Sequence, residues 1–159
     1  MNGLRFGRVA VLFVLGCVMS VPGLSAQSAT GEKGDLISMH RATSAAALPN
    51  GLELRDGEAR VQITALREDV LRIRVSKTGK MPEDASWAVL PGSRTSSVAT
   101  VYRAEGGKTG FSTKALQVSV DRATLAVTIS DTRGGVLLQD ARPVEFHGEH
   151  FRIYKRMSA

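Results

Sequence analysis

An all-β fold, an antiparallel β-sandwich, is what this 159-residue sequence predicts, and three observations carry the prediction. Leu116, Val118 and Val120 alternate with Gln117, Ser119 and Asp121, and after a short polar step Leu125, Val127 and Ile129 alternate with Ala126, Thr128 and Ser130. A strict period of two over adjacent segments marks half-buried strands joined as a hairpin. Ala59, Val61, Ile63 and Ala65 repeat the pattern, and Leu71, Ile73 and Val75 take it up again after Glu68-Asp69. No segment keeps a helical period over three turns, and a lone sheet would leave one apolar face in water, so a second sheet must pack on the first.

Taken in order, the N-terminus reads as an address. Arg5 and Arg8 precede an almost wholly apolar run from Val9 to Val21, which ends in Pro22-Gly23 and the small residues Ser25-Ala26. This is the order of a secretory signal peptide, residues 1–26, cleaved after Ala26, with export to the periplasm or beyond. The run is shorter than the roughly 20 residues of a membrane span, so no stable membrane insertion is expected after cleavage. A lipoprotein reading places Gly16 before Cys17, but Leu15 fits that signal poorly and the apolar run continues past the cysteine. Cleavage removes the only cysteine, so no disulfide or thiolate ligand is expected in the mature chain. It also removes Arg5 and Arg8 and lowers the net charge from +6 to +4. That charge is dispersed and aromatics make up 5% of the chain, which excludes the basic, aromatic-interleaved stripe of a nucleic-acid binder.

Residues 27–50 are rich in Ser, Ala, Thr and Gly without an apolar period and predict a flexible leader. The domain is expected to occupy 51–159. Leu52 and Leu54 flank Glu53, and Asp56-Gly57 turns the chain into the Ala59–Ala65 strand. Arg72 and Arg74 alternate with the apolar residues of the next strand, which puts them on its solvent face. Lys77 to Pro91 is an irregular excursion around Trp87. Ser97 to Tyr102 returns to alternation, Glu105 to Gly110 reads as a glycine turn, and Phe111-Ser112-Thr113 leads into the hairpin at Leu116. Asp131 to Gly135 is a further turn, with Val136-Leu137-Leu138 as the next strand. Val144–Phe146 and Phe151–Tyr154 form the last hairpin, across His147 to His150.

Few residues here carry chemistry. Glu145, His147, Glu149 and His150 hold the inventory of a zinc site or an acid–base pair, yet no third ligand of matching spacing stands elsewhere, and a solvated polar turn accounts for them. Asp131 to Gly135 has neither the following helix nor the lysine of a phosphate loop. Trp87, Tyr102 and Tyr154 could offer stacking faces to a sugar ring, Trp87 foremost; a core role is the commoner fate of a lone tryptophan. No metal and no cofactor is implied.

The strand pair VQITALREDVLRIRVS, the hairpin ALQVSVDRATLAVTISD followed by GGVLLQD, and the closing FRIYKRMSA resemble the N-terminal, galactose-mutarotase-like β-sandwich of glycoside hydrolase family 31, the α-glucosidases and α-xylosidases. The likeness runs from about Leu52 to the end. It implies an accessory sandwich whose partner is a catalytic barrel, with α-linked oligosaccharide as substrate. Retaining hydrolysis needs two carboxyls about 5 Å apart, and in the family both stand on a (β/α)₈ barrel of about 200 residues or more. The segment that precedes that barrel has no counterpart before Ala159, so no catalytic residue is carried over, and the chain reads as a family member without its barrel. Mutarotation is not implied, since Glu145 and His147 do not match the sugar-site roles it requires. The rival reading is a self-sufficient carbohydrate-binding module with Trp87 in its site.

Overall fold

The computed structural model describes residues 10–13, 36–83, 92, 98–148 and 150–158. Among the described residues fourteen strands are arranged in three sheets. The first holds, in spatial order, β1 (Ala10–Phe13), β6 (Val70–Ser76), β5 (Ala59–Arg67), β4 (Gly51–Asp56) and β3 (Ser44–Leu48). The second runs β14 (Lys155–Met157), β11 (Val136–Asp140), β10 (Val127–Asp131), β9 (Leu116–Asp121), β8 (Lys108–Ser112) and β7 (Val101–Glu105). A small third sheet joins β13 (His150–Arg152), β12 (Glu145–His147) and β2 (Leu36–Ser38). All pairings are antiparallel except that of β1 with β6. The expected all-β fold of antiparallel sheets is therefore present.

The alternation does what the pattern requires. Leu52, Leu54, Val61, Ile63, Leu71 and Ile73 from the first sheet meet Phe111, Leu116, Val118, Val120, Val127 and Ile129 from the second in one core. Phe146 of β12, and Met39 just after β2, join it. At the end of β5 the register slips between Ala65 and Arg67, and both Ala65 and Leu66 are buried, as a β-bulge permits. The two large sheets are tied where β6 and β9 begin: Thr113 Oγ1 donates to Glu68 O at 2.6 Å, and Lys114 N–H donates to Glu68 Oε2 at 2.8 Å.

Several expectations are corrected. Within the stretch 27–50 read as a flexible leader, β2 and β3 form and Met39 is 1% exposed. These strands are held by backbone ladders to β12 and β4, and Asp56 Oδ2 accepts the N–H of His40 at 2.7 Å; such bonds leave no apolar period to read. The turn expected over Glu105–Gly110 is confined to Gly106-Gly107, both at positive φ, and β7 and β8 extend on either side. Leu125 lies in the turn before β10, buried but at φ 57°. Arg72 does face away from the core, yet it is 3% exposed rather than on a solvent face. β6 is flanked on both sides, and the chain that follows folds back over that face, with Arg74 Nη2 donating to Pro82 O. The last strand, β14, pairs with β11 and extends the second sheet.

Candidate functional site

The second sheet turns one face to the core and one outward. Register fixes which residues share the outer face. Arg103 of β7 lies opposite Gly110 of β8, Gly110 opposite Ser119 of β9, and Ser112 opposite Gln117, which in turn lies opposite Ser130 of β10. Across four strands an arginine, three serines and a glutamine therefore gather around a position with no side chain. The result is a hollow of about 210 Å³ with its floor at Gly110. The glycine is required by the ladder itself: a Cβ there would stand 1.9 Å from Val118 O. Glu105 and Lys108, opposite one another beside the β7–β8 turn, also line it.

The outer face of the first sheet is different. Gln62 Nε2 donates to Glu53 Oε2 at 2.7 Å, Arg55 Nε donates to Glu53 Oε1 at 3.1 Å, and Arg60 Nε stands 3.5 Å from the same oxygen. Arg55 and Arg60 are directly opposed like charges, and Glu53 between them offsets a repulsion that would otherwise weaken the pair. Burial pushes the Glu53 carboxyl up, but the hydrogen bonds from Gln62 and Arg55 and the charges of Arg60 and Arg55 outweigh it and hold the group below the ordinary carboxylate range. Glu53 thus draws Gln62, Arg55 and Arg60 together on this face, although Arg60 Nε is buried without a hydrogen bond. Around the hollow, by contrast, the side chains of Arg103, Ser112, Gln117, Ser119 and Ser130 make no hydrogen bond or ion pair with any described residue.

The residues singled out in the sequence fall elsewhere. Trp87 lies outside the described residues, as do Cys17, Ala26 and Glu149. His147 and His150 are paired directly across β12 and β13, with Glu145 opposite Arg152. Among the described residues no three His, Cys, Asp or Glu side chains gather as a metal site. Asp131 fills its own turn, Oδ1 accepting the N–H groups of Arg133 and Gly135 at 2.8 Å each, which leaves no nest for a phosphate. Tyr102 is turned to the core side of β7, where its hydroxyl oxygen accepts from Thr109 Oγ1 at 2.8 Å. The Tyr154 ring is covered by the Arg142 guanidinium, 5.2 Å from its centroid. Neither tyrosine offers a stacking face to the hollow.

The glycosyl hydrolase 31 N-terminal galactose mutarotase-like domain matches residues 60–158. This chain belongs to that family. Its fold is also that of solved family-31 enzymes. The GH31 dextranase of Flavobacterium johnsoniae, complexed with glucose, superposes with a TM-score of 0.58 at 14% identity, over 65% of this chain and 13% of the dextranase. An uncharacterized protein of Listeria monocytogenes EGD-e, in complex with α-D-glucose, β-D-glucose, magnesium and calcium, gives 0.57 at 16% identity, over 72% of this chain and 11% of its own. The matched part of this chain spans about an eighth of the dextranase and a ninth of the Listeria chain. No curated protein matches its sequence.

Proposed function

We propose that this chain is a non-catalytic accessory sandwich of an exported α-glycosidase, working beside a (β/α)₈ barrel that carries the reacting carboxylates. The observation that carries this reading is the match of residues 60–158 to the family-31 N-terminal galactose mutarotase-like domain. Retaining glycosidase chemistry asks for a pair of carboxyls about 5 Å apart across a scissile bond. Among the residues that line the hollow the one carboxylate is Glu105, and the Glu53 carboxylate belongs to the opposite sheet, held by Gln62, Arg55 and Arg60. Export rests on the N-terminal order of Arg5, Arg8, the Val9–Val21 run and Ser25-Ala26.

The test has two parts. The purified chain is assayed on nitrophenyl α-glucoside and α-xyloside, where no turnover is expected, and the gene is read past the codon for Ala159. A barrel encoded there supports the accessory role. Unrelated sequence, together with saturable sugar binding by the chain alone, favours the self-sufficient carbohydrate-binding module instead. Turnover by this chain would overturn both.

A further inference from the structure

The hollow over Gly110, with polar side chains around its rim, has the character of a ligand site, and we infer that it takes one pyranose unit of a neutral α-linked oligosaccharide. The inference rests on the accessory-glycosidase reading for the identity of the glycan, and on the hollow itself for the class of ligand. Three features select that class. Size comes first: about 210 Å³ is below the roughly 300–1,000 Å³ of clefts that enclose a drug-sized molecule, and is on the scale of a single ring with its hydroxyls. Chemistry is second. Serine hydroxyls donate and accept, the Gln117 amide does both, and Arg103 donates, which is the complement that vicinal sugar hydroxyls require. Charge is third: Lys108 lies opposite Glu105 on one side and Asp121 on the other, so two carboxylates offset the cations Arg103 and Lys108 on this face, a balance that favours a neutral polyol over an anion.

That no described residue partners these side chains strengthens the point. The Glu53 cluster shows that this sandwich can tie outward-facing side chains to one another. On the second sheet it leaves five of them open around one depression, across four strands whose register is fixed by backbone ladders. A site on strands is pre-positioned, so little order is lost on binding. Among the described residues no aromatic side chain turns a ring face outward over the hollow, so affinity comes from hydrogen bonds that exchange with water, and a dissociation constant in the millimolar range follows.

The experiment is an amide ¹H–¹⁵N titration of the whole chain with isomaltotriose, maltotriose and, separately, inorganic phosphate. The expected result is saturable shifts from the trisaccharides at the amides of Arg103, Gly110, Ser112, Gln117, Ser119 and Ser130, and none of comparable size from phosphate. Arg103→Ala and Gln117→Ala should each weaken binding by roughly threefold to tenfold. Ser119→Leu, which fills the hollow from an outer-face position, should abolish it while the rest of the spectrum stays folded. Absence of shifts at tens of millimolar sugar, sugar shifts confined to another part of the chain, or a phosphate response at these amides that sugar does not match would each overturn the inference. Those outcomes leave the accessory role standing, because that role is judged by turnover and by the encoded barrel.

Discussion

Gly110→Ala tests the register on which the hollow depends. A methyl group at this position would lie 1.9 Å from Val118 O and 2.9 Å from Val118 C, both backbone atoms of β9 that cannot rotate away. Relief requires β8 and β9 to part by on the order of 1 Å, enough to lengthen a 2.9 Å N–H···O bond beyond useful range. The pair spans five residues on each strand, Lys108–Ser112 against Gln117–Asp121, so at least two ladder bonds around Gly110 are weakened or lost. At roughly 1–1.5 kcal/mol net for each, the variant should be less stable by about 2–3 kcal/mol. For a domain near 100 residues this lowers Tm by roughly 10–20 °C. Thermal unfolding by circular dichroism reads the total, and amide exchange at Thr109–Ser112 and Gln117–Val120 locates it. Ser119→Ala, across the same pair but leaving the backbone untouched, should stay within about 0.5 kcal/mol of the parent. If Gly110→Ala melts with the parent and its exchange is unchanged, β8 and β9 are not in this register, and the juxtaposition of Arg103, Ser119 and Gln117 fails with it.

Other perturbations probe the core and the charge network. Ile129 is fully buried on β10, and Ile129→Ala should cost about 2–5 kcal/mol in denaturant unfolding; a cost below 1 kcal/mol would mean that the two sheets do not close on it. Asp140 Oδ2 accepts the Val127 N–H at 2.9 Å, and the carboxylate is ion-paired with Lys155 of β14. Asp140→Ala removes both contacts from a site only 4% exposed on the aspartate side, and a loss of about 2–4 kcal/mol is expected, with faster exchange at Lys155–Met157 before the rest of the second sheet opens. Glu53 titrates lower in the folded chain than in the unfolded one, so its contribution is complete above the ordinary carboxylate range and is lost as pH falls through its depressed folded pKa. Stability of the parent should therefore fall more steeply on acidification than that of Glu53→Gln; parallel curves in pH-dependent unfolding would contradict the network.

Period-two alternation carried most of this fold, because a strand that is half buried writes its burial into every second residue. β5, β6, β9 and β10 were legible for that reason, with Gly57 and Gly134 marking their turns. β2, β3 and β14 were not. Ser44 to Leu48 is SAAAL, with no apolar face to read, and it joins the sheet through ladder bonds to β4. Lys155–Met157 is only three residues long and is placed by its pairing with β11. The burial of Arg72 was hidden as well, since alternation assigns a face but says nothing of what folds over it. The hollow is a harder case. Its lining comes from four strands, and proximity there depends on register and on the missing side chain of Gly110. A signal did exist: a glycine inside a strand next to serines at outward positions marks a close backbone approach. Trp87, the lone tryptophan, and His147 and His150 are the more conspicuous residues in the sequence; the two histidines pair across β12 and β13, and among the described residues no third ligand joins them.

The sandwich is asymmetric in a way that bears on how it could serve an enzyme. On the first sheet, Glu53 already holds Gln62, Arg55 and Arg60, and a partner placed there would have to compete with contacts already made. On the second, Arg103, Ser112, Gln117, Ser119 and Ser130 make no hydrogen bond with any described residue, which leaves them available to the ligand inferred above. Signal-peptide processing after Ala26 would act on the first sheet alone, by removing β1 and turning β6 into an edge strand whose unpaired backbone invites another strand. A strand-pairing contact with a catalytic domain along β6 and a glycan contact over Gly110 would then fall on different sheets. A variant such as Ser119→Leu should therefore remove sugar binding and leave any association through β6 intact. Loss of both together would mean that the two sheets do not act independently.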